Sequence, residues 1–490
     1  MQDKHHGIKI LIVQLARLGD IYMTWPSIRA LRRKHPDAEI HVLVRPRFQD
    51  ALKGLEAIDR VVPFPTRGFV EPLITLADGI PKALEIVDQF IESLTVECYD
   101  LVINASFSEM SSFLTHEIER AGSQVRGWTR SIFHNNVHFP DEISSYFHAQ
   151  VGVLKTNRVH LVDLFAALFD VDLAKVDLAP PMLNGDKKNL PEMAAVVHVG
   201  ASDLGKTAPA LFLGRALKKF IEMGWPFPVV LIGAKGEEFL AREIEYHAQS
   251  SQVQNLVGLT PLEDLFPLFE KAKFLLGPDS GPMHIATLAN LPSLCLSAAE
   301  VKFWETGPRA AGSAVFPFHP DHVPASEDFA EILWDFSQGC TRGELILAVD
   351  QVPSYDLQET PQDRFDWELV NAIYFDGAFP VCEHVGTVLG AEKLLELTHF
   401  LKEQIRMTQR TGLSWTPDFV VRMTTMVKAV AEVVPPLKGL VNWFLTENTR
   451  LPHSPEVQYL QALTSLLEAF AKLLNIYHLP DEMEQVKKNG

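Results

Sequence analysis

Two series of apolar runs, separated by stretches with helical periodicity, occupy most of the chain. The predicted strands are residues 8–13, 39–44, 100–104, 196–199, 228–232, 274–276 and 293–296. The run at 8–13 is typical of a central strand of a parallel sheet, which is buried on both faces. Between the strands, residues 24–34 have a helical pattern with Pro26 in the predicted first turn. Strands alternating with helices predict an α/β fold with two Rossmann-like, doubly wound domains.

Composition of the intervening segments suggests where these domains end. Residues 178–191 are rich in Pro, Asn, Gly and Asp, as a linker would be. From about Val352 the strand signals stop, and apolar residues recur at helical spacing. They are Leu394, Leu397, Leu401 and Ile405, and again Leu460, Leu463, Leu467, Phe470 and Leu474. The chain is therefore predicted to contain a Rossmann-like domain over 1–180, a second over 190–351, and a helical extension over 352–490. The extension is expected to cover the α/β body, to dimerise or to regulate access.

Charge and cysteine content narrow the class of protein. The net charge of −18 over 490 residues argues against general nucleic-acid binding and against broad adhesion to an anionic membrane. The cysteines at 98, 295, 340 and 382 are far apart and lack metal-site spacing, so we expect buried thiols in a reducing compartment. The N-terminal apolar run is too short for a signal peptide, and no run approaches the roughly 20 residues of a membrane span. A cytoplasmic protein is predicted.

The segment from Gly277 to His284 is the strongest candidate for a binding site. It lies where a predicted strand ends and a helix begins, and small residues such as Ser280 and Gly281 allow a ligand to approach the backbone. A helix N-terminus offers unpaired N–H groups and a partial positive charge, which together bind anions. The alternative is an ordinary capped turn with Asp279 or Ser280 as the N-cap.

Three further loops follow predicted strands and carry charged side chains. Asp20 follows the first strand and can accept a proton from a hydroxyl group, or alternatively cap the next helix. Lys206 ends a loop after the strand at 196–199 and can neutralise a leaving diphosphate. Glu237 can accept hydrogen bonds from a ribose diol, or alternatively favour the start of a helix. No G-x-G-x-x-G follows the first strand and no P-loop occurs, so a dehydrogenase or NTPase is poorly supported.

These motifs together resemble glycosyltransferase family 9, the lipopolysaccharide heptosyltransferase type of GT-B enzyme. The similar segments are residues 10–20, 26–33, 121–128, the His-x₇-Lys loop 198–206, 257–260 and 279–284. The resemblance covers about residues 8–350. It implies a bacterial, cytoplasmic enzyme of lipopolysaccharide biosynthesis that inverts the anomeric centre without a metal or cofactor, using a nucleotide sugar such as ADP-heptose and a glycolipid or related surface-glycan acceptor.

The resemblance also implies roles for individual residues. Asp20 matches the catalytic base, and Lys206 is a second catalytic candidate that contacts the donor phosphates. The donor-binding candidates are Ser202, Lys206, Glu237 on the ribose, Leu259 at the base, Asp279 on the sugar, Ser280 and Gly281 on the diphosphate, and His284. The acceptor candidates are Arg17, Arg45 and Arg47. The last two belong to the basic cluster between Arg29 and Arg47. The chain departs from the family at Ala201. It also departs at Ala208-Pro209, where an aromatic residue is usual. These two differences leave the identity of the donor open.

Other interpretations of the same residues stay open. The string Asp170-Val171-Asp172 resembles a metal-binding D-x-D but precedes the linker, so we interpret it as a surface feature. His198 and His284 are expected to be hydrogen-bonded in separate turns rather than to bind a metal. A sugar-nucleotide 2-epimerase of the same fold, or a non-catalytic scaffold that binds glycans or nucleotide sugars, would keep a similar pocket. Oligomerisation through the helical part and peripheral contact with the inner membrane also stay open.

Overall fold

The protein is described here from a computed structural model. The described residues are 7–131, 136–152, 155–181, 190–298, 302–318, 321–340, 346–347, 361–375, 377–380, 385–411, 417–451 and 456–477. The predicted boundary near 351 and Cys382 lie outside them. None of the described helices combines the length and the apolar character needed to span a lipid bilayer.

Strands and helices alternate through the first two thirds of the chain, and helices alone follow. The strands are β1 (Lys9–Gln14), β2 (Glu39–Val44), β3 (Arg60–Pro63), β4 (Leu101–Asn104), β5 (Gln124–Gly127), β6 (Thr129–Arg130), β7 (Val137–His138), β8 (Ala195–His198), β9 (Val229–Ile232), β10 (Val253–Asn255), β11 (Phe274–Pro278), β12 (Ser293–Ala298), β13 (Ala314–Phe318) and β14 (Ile346–Leu347). The helices are α1 (Leu18–Lys34), α2 (Thr66–Thr75), α3 (Gly79–Thr95), α4 (Glu109–Arg120), α5 (Glu142–Gln150), α6 (Leu161–Phe169), α7 (Ala210–Glu222), α8 (Glu238–Ala248), α9 (Leu262–Lys271), α10 (Gly281–Leu288), α11 (Phe303–Thr306), α12 (Ser326–Ser337), α13 (Pro361–Tyr374), α14 (Val385–Thr411), α15 (Pro417–Val433), α16 (Lys438–Thr449) and α17 (Glu456–Leu474). Short 3₁₀ turns occur at Pro46–Leu52, Lys175–Leu178, Leu204–Lys206, Lys235–Glu237 and Pro435–Leu437.

The chain forms two compact units. The first comprises Met1–Ser106 and Val159–Asp356, and the second comprises Phe107–Arg158 and Leu357–Gly490. Residues 107–158 therefore group with the C-terminal helices, although the sequence suggested a domain over 1–180. The three predicted domain ranges stay a prediction.

The first unit contains two parallel sheets. In the first lobe, which comprises residues 7–106 and 159–181, the strands run in the order β3-β2-β1-β4, and Ile10 of β1 lies between Ile40 of β2 and Leu101 of β4. In the second lobe, residues 190–347, the order is β10-β9-β8-β11-β12-β13, with β14 antiparallel to β13. The apolar side chains of β1 and β8 are almost completely buried, as central strands require. This arrangement confirms the predicted α/β fold class.

The order of the second sheet reverses direction between β8 and β11. Chain connections leave these two neighbouring strands toward opposite sides of the sheet, which opens a crevice at their carboxyl ends. The first sheet reverses in the same way between β1 and β4. Loops that follow β1, β8 and β11 are therefore the loops on which a ligand site is expected.

Helix α1 begins earlier than the sequence predicted. It starts at Leu18, so Pro26 lies inside the helix rather than in its first turn. Two hydrogen bonds explain the earlier start. The carboxylate of Asp20 accepts a hydrogen bond from the amide of Arg17 at 2.9 Å, which caps the helix at Leu18. The hydroxyl of Thr24 donates to the carbonyl of Ile21 at 2.6 Å, in the turn before Pro26.

The two lobes pack directly on each other along α1. Trp25 stacks on Phe266 of α9 with ring centroids 5.6 Å apart, and the side chain of Lys53 reaches Glu263 at 2.6 Å. His160, just before α6, lies 3.0 Å from the carbonyl of Gly307 in the second lobe. Aromatic, ionic and hydrogen-bonded contacts therefore hold the lobes together around the crevice.

The second unit has a helical core of its own. The leucine pattern predicted at 460, 463, 467 and 474 lies on α17 and is buried, and Phe470 of α17 stacks on Phe444 of α16 at 4.3 Å. On α14, Leu394, Leu401 and Ile405 are also buried. The predicted helical character of this part agrees with the structure.

The cysteines differ in part from the expectation of buried thiols. Cys295 on β12 is buried, whereas Cys98 and Cys340 are exposed, and these three described cysteines are free. Cys98 adopts a positive φ of 51° in the turn between α3 and β4. That turn places its side chain at the surface.

Candidate active site

A cavity of about 950 Å³ opens at the carboxyl edges of the two sheets of the first unit. Its volume suits a ligand of several hundred daltons. The sequence-predicted residues that line it are Arg17, Asp20, Arg47, Ser202, Lys206, Glu237, Asp279, Ser280, Gly281 and His284. Both lobes contribute, so one ligand can contact the loop after β1 and the loops of the second lobe simultaneously.

Asp20 is a carboxylate of the first lobe that lines this cavity. One carboxylate oxygen, Oδ2, accepts the amide of Arg17 at 2.9 Å, so the side chain caps α1 and also faces the cavity. The capping interpretation of Asp20 is therefore confirmed, and the proton-acceptor interpretation stays a prediction that its position in the cavity allows. Burial raises the pKa of Asp20, and the negative charge of Asp279 raises it further, while the bond from Arg17 lowers it. A carboxylate with a raised pKa is a stronger base than an exposed one.

Lys206 and Asp279 form the charged pair of the second lobe. The Lys206 ammonium lies 3.1 Å from Asp279 Oδ2, and the lysine side chain is 28% exposed while that of Asp279 is 8% exposed. The other carboxylate oxygen, Oδ1 of Asp279, is buried and has no hydrogen-bond partner among the described residues. A buried acceptor without a partner costs stability, so this oxygen is available to a ligand hydroxyl.

Helix α10 points its N-terminus into the cavity. Its N-cap residue is Ser280, yet the Ser280 hydroxyl makes no capping bond to the helix. Instead the hydroxyl lies 2.9 Å from His198 Nδ1 and 3.1 Å from the carbonyl of Pro278. The start of the helix is therefore left without a side-chain cap and can accept an anion.

Glu237 lies at the opposite end of the same row of loops. Its Oε2 accepts the amide of Ala234 at 2.6 Å, and burial raises its pKa. Gly233 gives it room, since a Cβ added there would lie 2.5 Å from that oxygen. The carboxylate is thus held against glycine backbone at the end of β9, where it can receive hydroxyl groups of a ligand.

His284 lines the cavity and contacts α1 of the first lobe. A Cβ added to Gly19 would be 2.8 Å from its ring, so a glycine is needed at that position of α1. Burial lowers the pKa of His284, although the charge of Asp279 opposes this. The ring is a neutral wall of the site.

Two predicted residues lie outside the cavity lining. Leu259 is 72% exposed, and its neighbours Thr260, Pro261 and Leu262 line the cavity instead. Arg45 is half-buried and does not line the cavity, whereas Arg47 does.

Most of the predicted basic cluster has protein partners. Arg29 donates to the carbonyl of Ala179, and Arg32 and Arg33 bind Asp59 and Asp177. Lys34 binds Asp170 at 3.0 Å. These four cations stabilise the first lobe, which leaves Arg47 as the member of the cluster that reaches the cavity.

The structure also brings in residues that the sequence did not single out. Phe48 and Asp50, from the 3₁₀ turn after β2, line the cavity beside Arg47. The rule that loops at one sheet edge converge would have found them, because they follow β2 as Asp20 follows β1. His198 was expected to be hydrogen-bonded rather than to bind a metal, and the structure identifies its partner as Ser280.

Among the described residues, no group of three or more His, Cys, Asp or Glu side chains is placed to hold a metal ion. Asp170, from the D-x-D string, pairs with Lys34 instead. The surface interpretation of that string agrees with this contact.

Comparison with known proteins agrees with the fold and the motifs. The family model for glycosyltransferase family 9 (heptosyltransferase) matches residues 87–305. Lipopolysaccharide heptosyltransferase 1 of Campylobacter coli is 24% identical over 304 residues, which cover 60% of this chain and 84% of that protein. Lipopolysaccharide heptosyltransferase 3 of Escherichia coli is 23% identical over 300 residues, covering 58% of this chain and 82% of that protein.

A solved heptosyltransferase structure has a similar fold. The E. coli heptosyltransferase WaaC with ADP aligns with a TM-score of 0.50 and 19% identity, over 67% of this chain and 100% of that one. The fold and the sequence matches together indicate a glycosyltransferase of GT-B architecture. The match to glycosyltransferase family 9 (heptosyltransferase) agrees with the family that the motifs indicated.

Proposed function

We propose that this glycosyltransferase moves a heptose-like sugar from a nucleoside diphosphate, such as ADP-heptose, to a lipopolysaccharide or related surface-glycan acceptor, with inversion and without a metal. The observation that carries the proposal is the single cavity with Asp20 on one lobe and Lys206, Asp279 and the start of α10 on the other. A base and an anion site on opposite sides of one cavity are what an in-line displacement requires.

The donor's diphosphate fits the positive end of the cavity. The ammonium of Lys206 and the uncapped N-terminus of α10 supply positive charge, and Ser202 lies on the same lining. Both act where negative charge develops as the diphosphate leaves. Lys206 and the N-terminus of α10 therefore neutralise the negative charge of the leaving diphosphate.

The remaining polar groups fit the two sugars of the donor. The Oδ1 of Asp279, which has no hydrogen-bond partner among the described residues, can accept a hydrogen bond from a hydroxyl of the transferred sugar. Glu237, at the far end of the loops, can accept the paired hydroxyls of the nucleotide ribose. The nucleobase of the donor would lie next to Thr260 and Pro261, rather than on the exposed side chain of Leu259.

The reaction is a single displacement. Asp20 takes the proton of an acceptor hydroxyl, whose oxygen forms a bond to the anomeric carbon of the donor. The bond from that carbon to the diphosphate oxygen breaks, and the nucleoside diphosphate leaves with the electron pair. Attack opposite the leaving group inverts the anomeric configuration.

The acceptor would approach from the first lobe. Arg17 and Arg47 lie on that side of the cavity and can bind anionic groups of a surface glycan. Arg45 and the cations from Arg29 to Lys34 are not in the cavity lining, so the acceptor surface is smaller than the basic cluster suggested. We place the reaction in the cytoplasm, with the acceptor presented at the inner membrane.

The test is to incubate the protein with candidate nucleotide sugars, first selected by thermal stabilisation, with and without a deacylated lipopolysaccharide acceptor. Mass spectrometry should show a glycosylated acceptor and free nucleoside diphosphate only when the acceptor is present. A changed sugar nucleotide formed without acceptor would indicate a 2-epimerase. Binding of sugar nucleotide with no turnover under any condition would indicate a scaffold.

A further inference from the structure

Two glycines lie where α1 of the first lobe packs against α10 of the second. Gly19 is the second residue of α1 and directly precedes Asp20, and Gly281 is the first residue of α10. Neither glycine has a positive φ, so the backbone conformation does not require glycine at either position. Glycine is also one of the poorest helix formers. The reason for these two glycines therefore lies in the space around them.

A side chain at either position would overlap with the other lobe. A Cβ added to Gly281 would lie 2.6 Å from Cδ2 of Leu18 and 3.1 Å from its Cγ. In the opposite direction, a Cβ added to Gly19 would lie 2.8 Å from Cδ2 and 3.0 Å from Nε2 of the His284 ring. Carbon atoms in normal contact are about 3.5–4.0 Å apart, so each added methyl group would be about 1 Å too close. Each helix start thus places a side chain directly against the glycine of the other.

The neighbouring side chains have little freedom to move away. His284 is 7% exposed, so its ring is enclosed by protein. For Leu18 the overlap includes Cγ as well as Cδ2, so turning one terminal methyl group aside does not remove it. A methyl group at position 281 is therefore accommodated by separation of the two helix starts.

We propose that Leu18 and Gly281 are positioning residues whose contact sets the distance between Asp20 and the diphosphate site. The inference rests on the proposed function, because the transfer reaction is what requires this distance. Asp20 follows Leu18 by two residues on α1, and the pair of Lys206 and Asp279 adjoins the start of α10. Separation of the helix starts moves the base away from the anomeric carbon of the donor. A misplacement of about 1 Å can lower a rate by about 100-fold.

The contact also gives Gly281 a different purpose from the one that its sequence suggests. If the glycine makes room for the diphosphate, a methyl group there weakens nucleotide binding, and the side chain of Leu18 has no influence on the result. If the glycine makes room for Leu18, the methyl group lowers kcat and leaves nucleotide binding intact. Removal of the Leu18 side chain then abolishes the effect.

The experiment measures kcat for sugar transfer and the dissociation constant of ADP on the full-length chain. Gly281→Ala is expected to lower kcat about 10- to 100-fold, because the base is displaced. The ADP affinity is expected to stay unchanged, because the amide of residue 281 is kept. Gly68→Ala in α2 is the matched control, since the nearest atom lies 3.8 Å from a Cβ added there, and it should change neither quantity.

The decisive comparison introduces Gly281→Ala into a Leu18→Ala background. That background lacks Cγ and Cδ2, and the Cβ that remains lies at a normal contact distance of 3.5 Å from the added methyl group. Gly281→Ala is expected to cause no further loss of kcat there, and thermal unfolding verifies that each variant is folded. An equal loss of kcat in both backgrounds, an unchanged kcat of Gly281→Ala, or weaker ADP binding by Gly281→Ala would overturn the positioning role. If the unaltered protein transfers no sugar from any donor tested, the proposed function fails and this inference fails with it.

Discussion

Replacing Asp20 by Asn separates its two duties. The amide oxygen of Asn can still accept the Arg17 amide that now lies 2.9 Å from the carboxylate, so the start of α1 is kept. What is lost is the ability to take a proton. Loss of a general base costs about 10²- to 10⁴-fold in rate, which corresponds to about 3 to 5 kcal/mol of activation free energy.

Stability should move in the opposite direction. Because the folded protein raises the pKa of Asp20 above its unfolded value of about 3.9, the ionised carboxylate costs folding free energy at neutral pH. The stability that protonation contributes is present below the unfolded pKa and is lost as the pH rises through the folded pKa. Asp20→Asn is therefore expected to raise Tm at pH 7 while it removes activity, and the gain in Tm should shrink in acid.

The assay is kcat for sugar transfer together with thermal unfolding across pH. The unaltered enzyme should lose kcat/KM as the pH falls through the raised pKa of Asp20, since the base must be ionised. Asp279→Asn removes a negative charge that raises this pKa, so the acid limb should move to lower pH. Asp88→Asn, on the exposed face of α3, serves as the matched control. A kcat for Asp20→Asn within tenfold of the unaltered enzyme would refute the base assignment.

Three further outcomes follow from the site. Lys206→Ala should raise the KM for the donor and lower kcat, each by about 10- to 100-fold, because a charged contact to the diphosphate is lost. Substitution of the exposed Lys219 by Ala is the control and should change neither constant. An unaltered donor KM in Lys206→Ala would exclude Lys206 from the phosphate site. Gly233→Ala should weaken nucleotide binding about tenfold in calorimetry, because the added Cβ displaces Glu237. Gly236→Ala is the control, since nothing lies within 4 Å of a Cβ added there. Equal nucleotide affinities of the two variants would contradict the contact of Glu237 with the ribose. Activity should persist in EDTA, and loss that a divalent ion rescues would show that a metal is needed.

The α/β elements were predictable from the sequence because parallel strands are buried on both faces. The apolar runs at 8–13 and 196–199 correspond closely to β1 and β8, and the carboxyl-edge rule placed Asp20 and the loop before α10 correctly in one cavity. The grouping of residues 107–158 with the C-terminal helices was not predictable. It depends on contacts such as Ser145 with Glu447 at 2.6 Å, which join residues about 300 positions apart and leave no local pattern.

The site was predictable to the extent that it depends on loop position. Charge alone was misleading, since a cluster of cations around Arg33 is equally consistent with a ligand surface and with partners such as Asp177, found far along the chain. Exposure could not be foreseen for Leu259, which faces outward beside a neighbour that faces the cavity. The contact between His198 and Ser280 joins residues on two different strands, so it required the three-dimensional structure.

The most direct test of the account is the anomeric configuration of the transferred sugar, determined by NMR on the product made from a donor of known configuration. Displacement by an acceptor oxygen that Asp20 activates, opposite the diphosphate held by Lys206 and α10, predicts a glycoside of inverted configuration. A glycoside of retained configuration, or an altered sugar nucleotide in place of a glycoside, would contradict it.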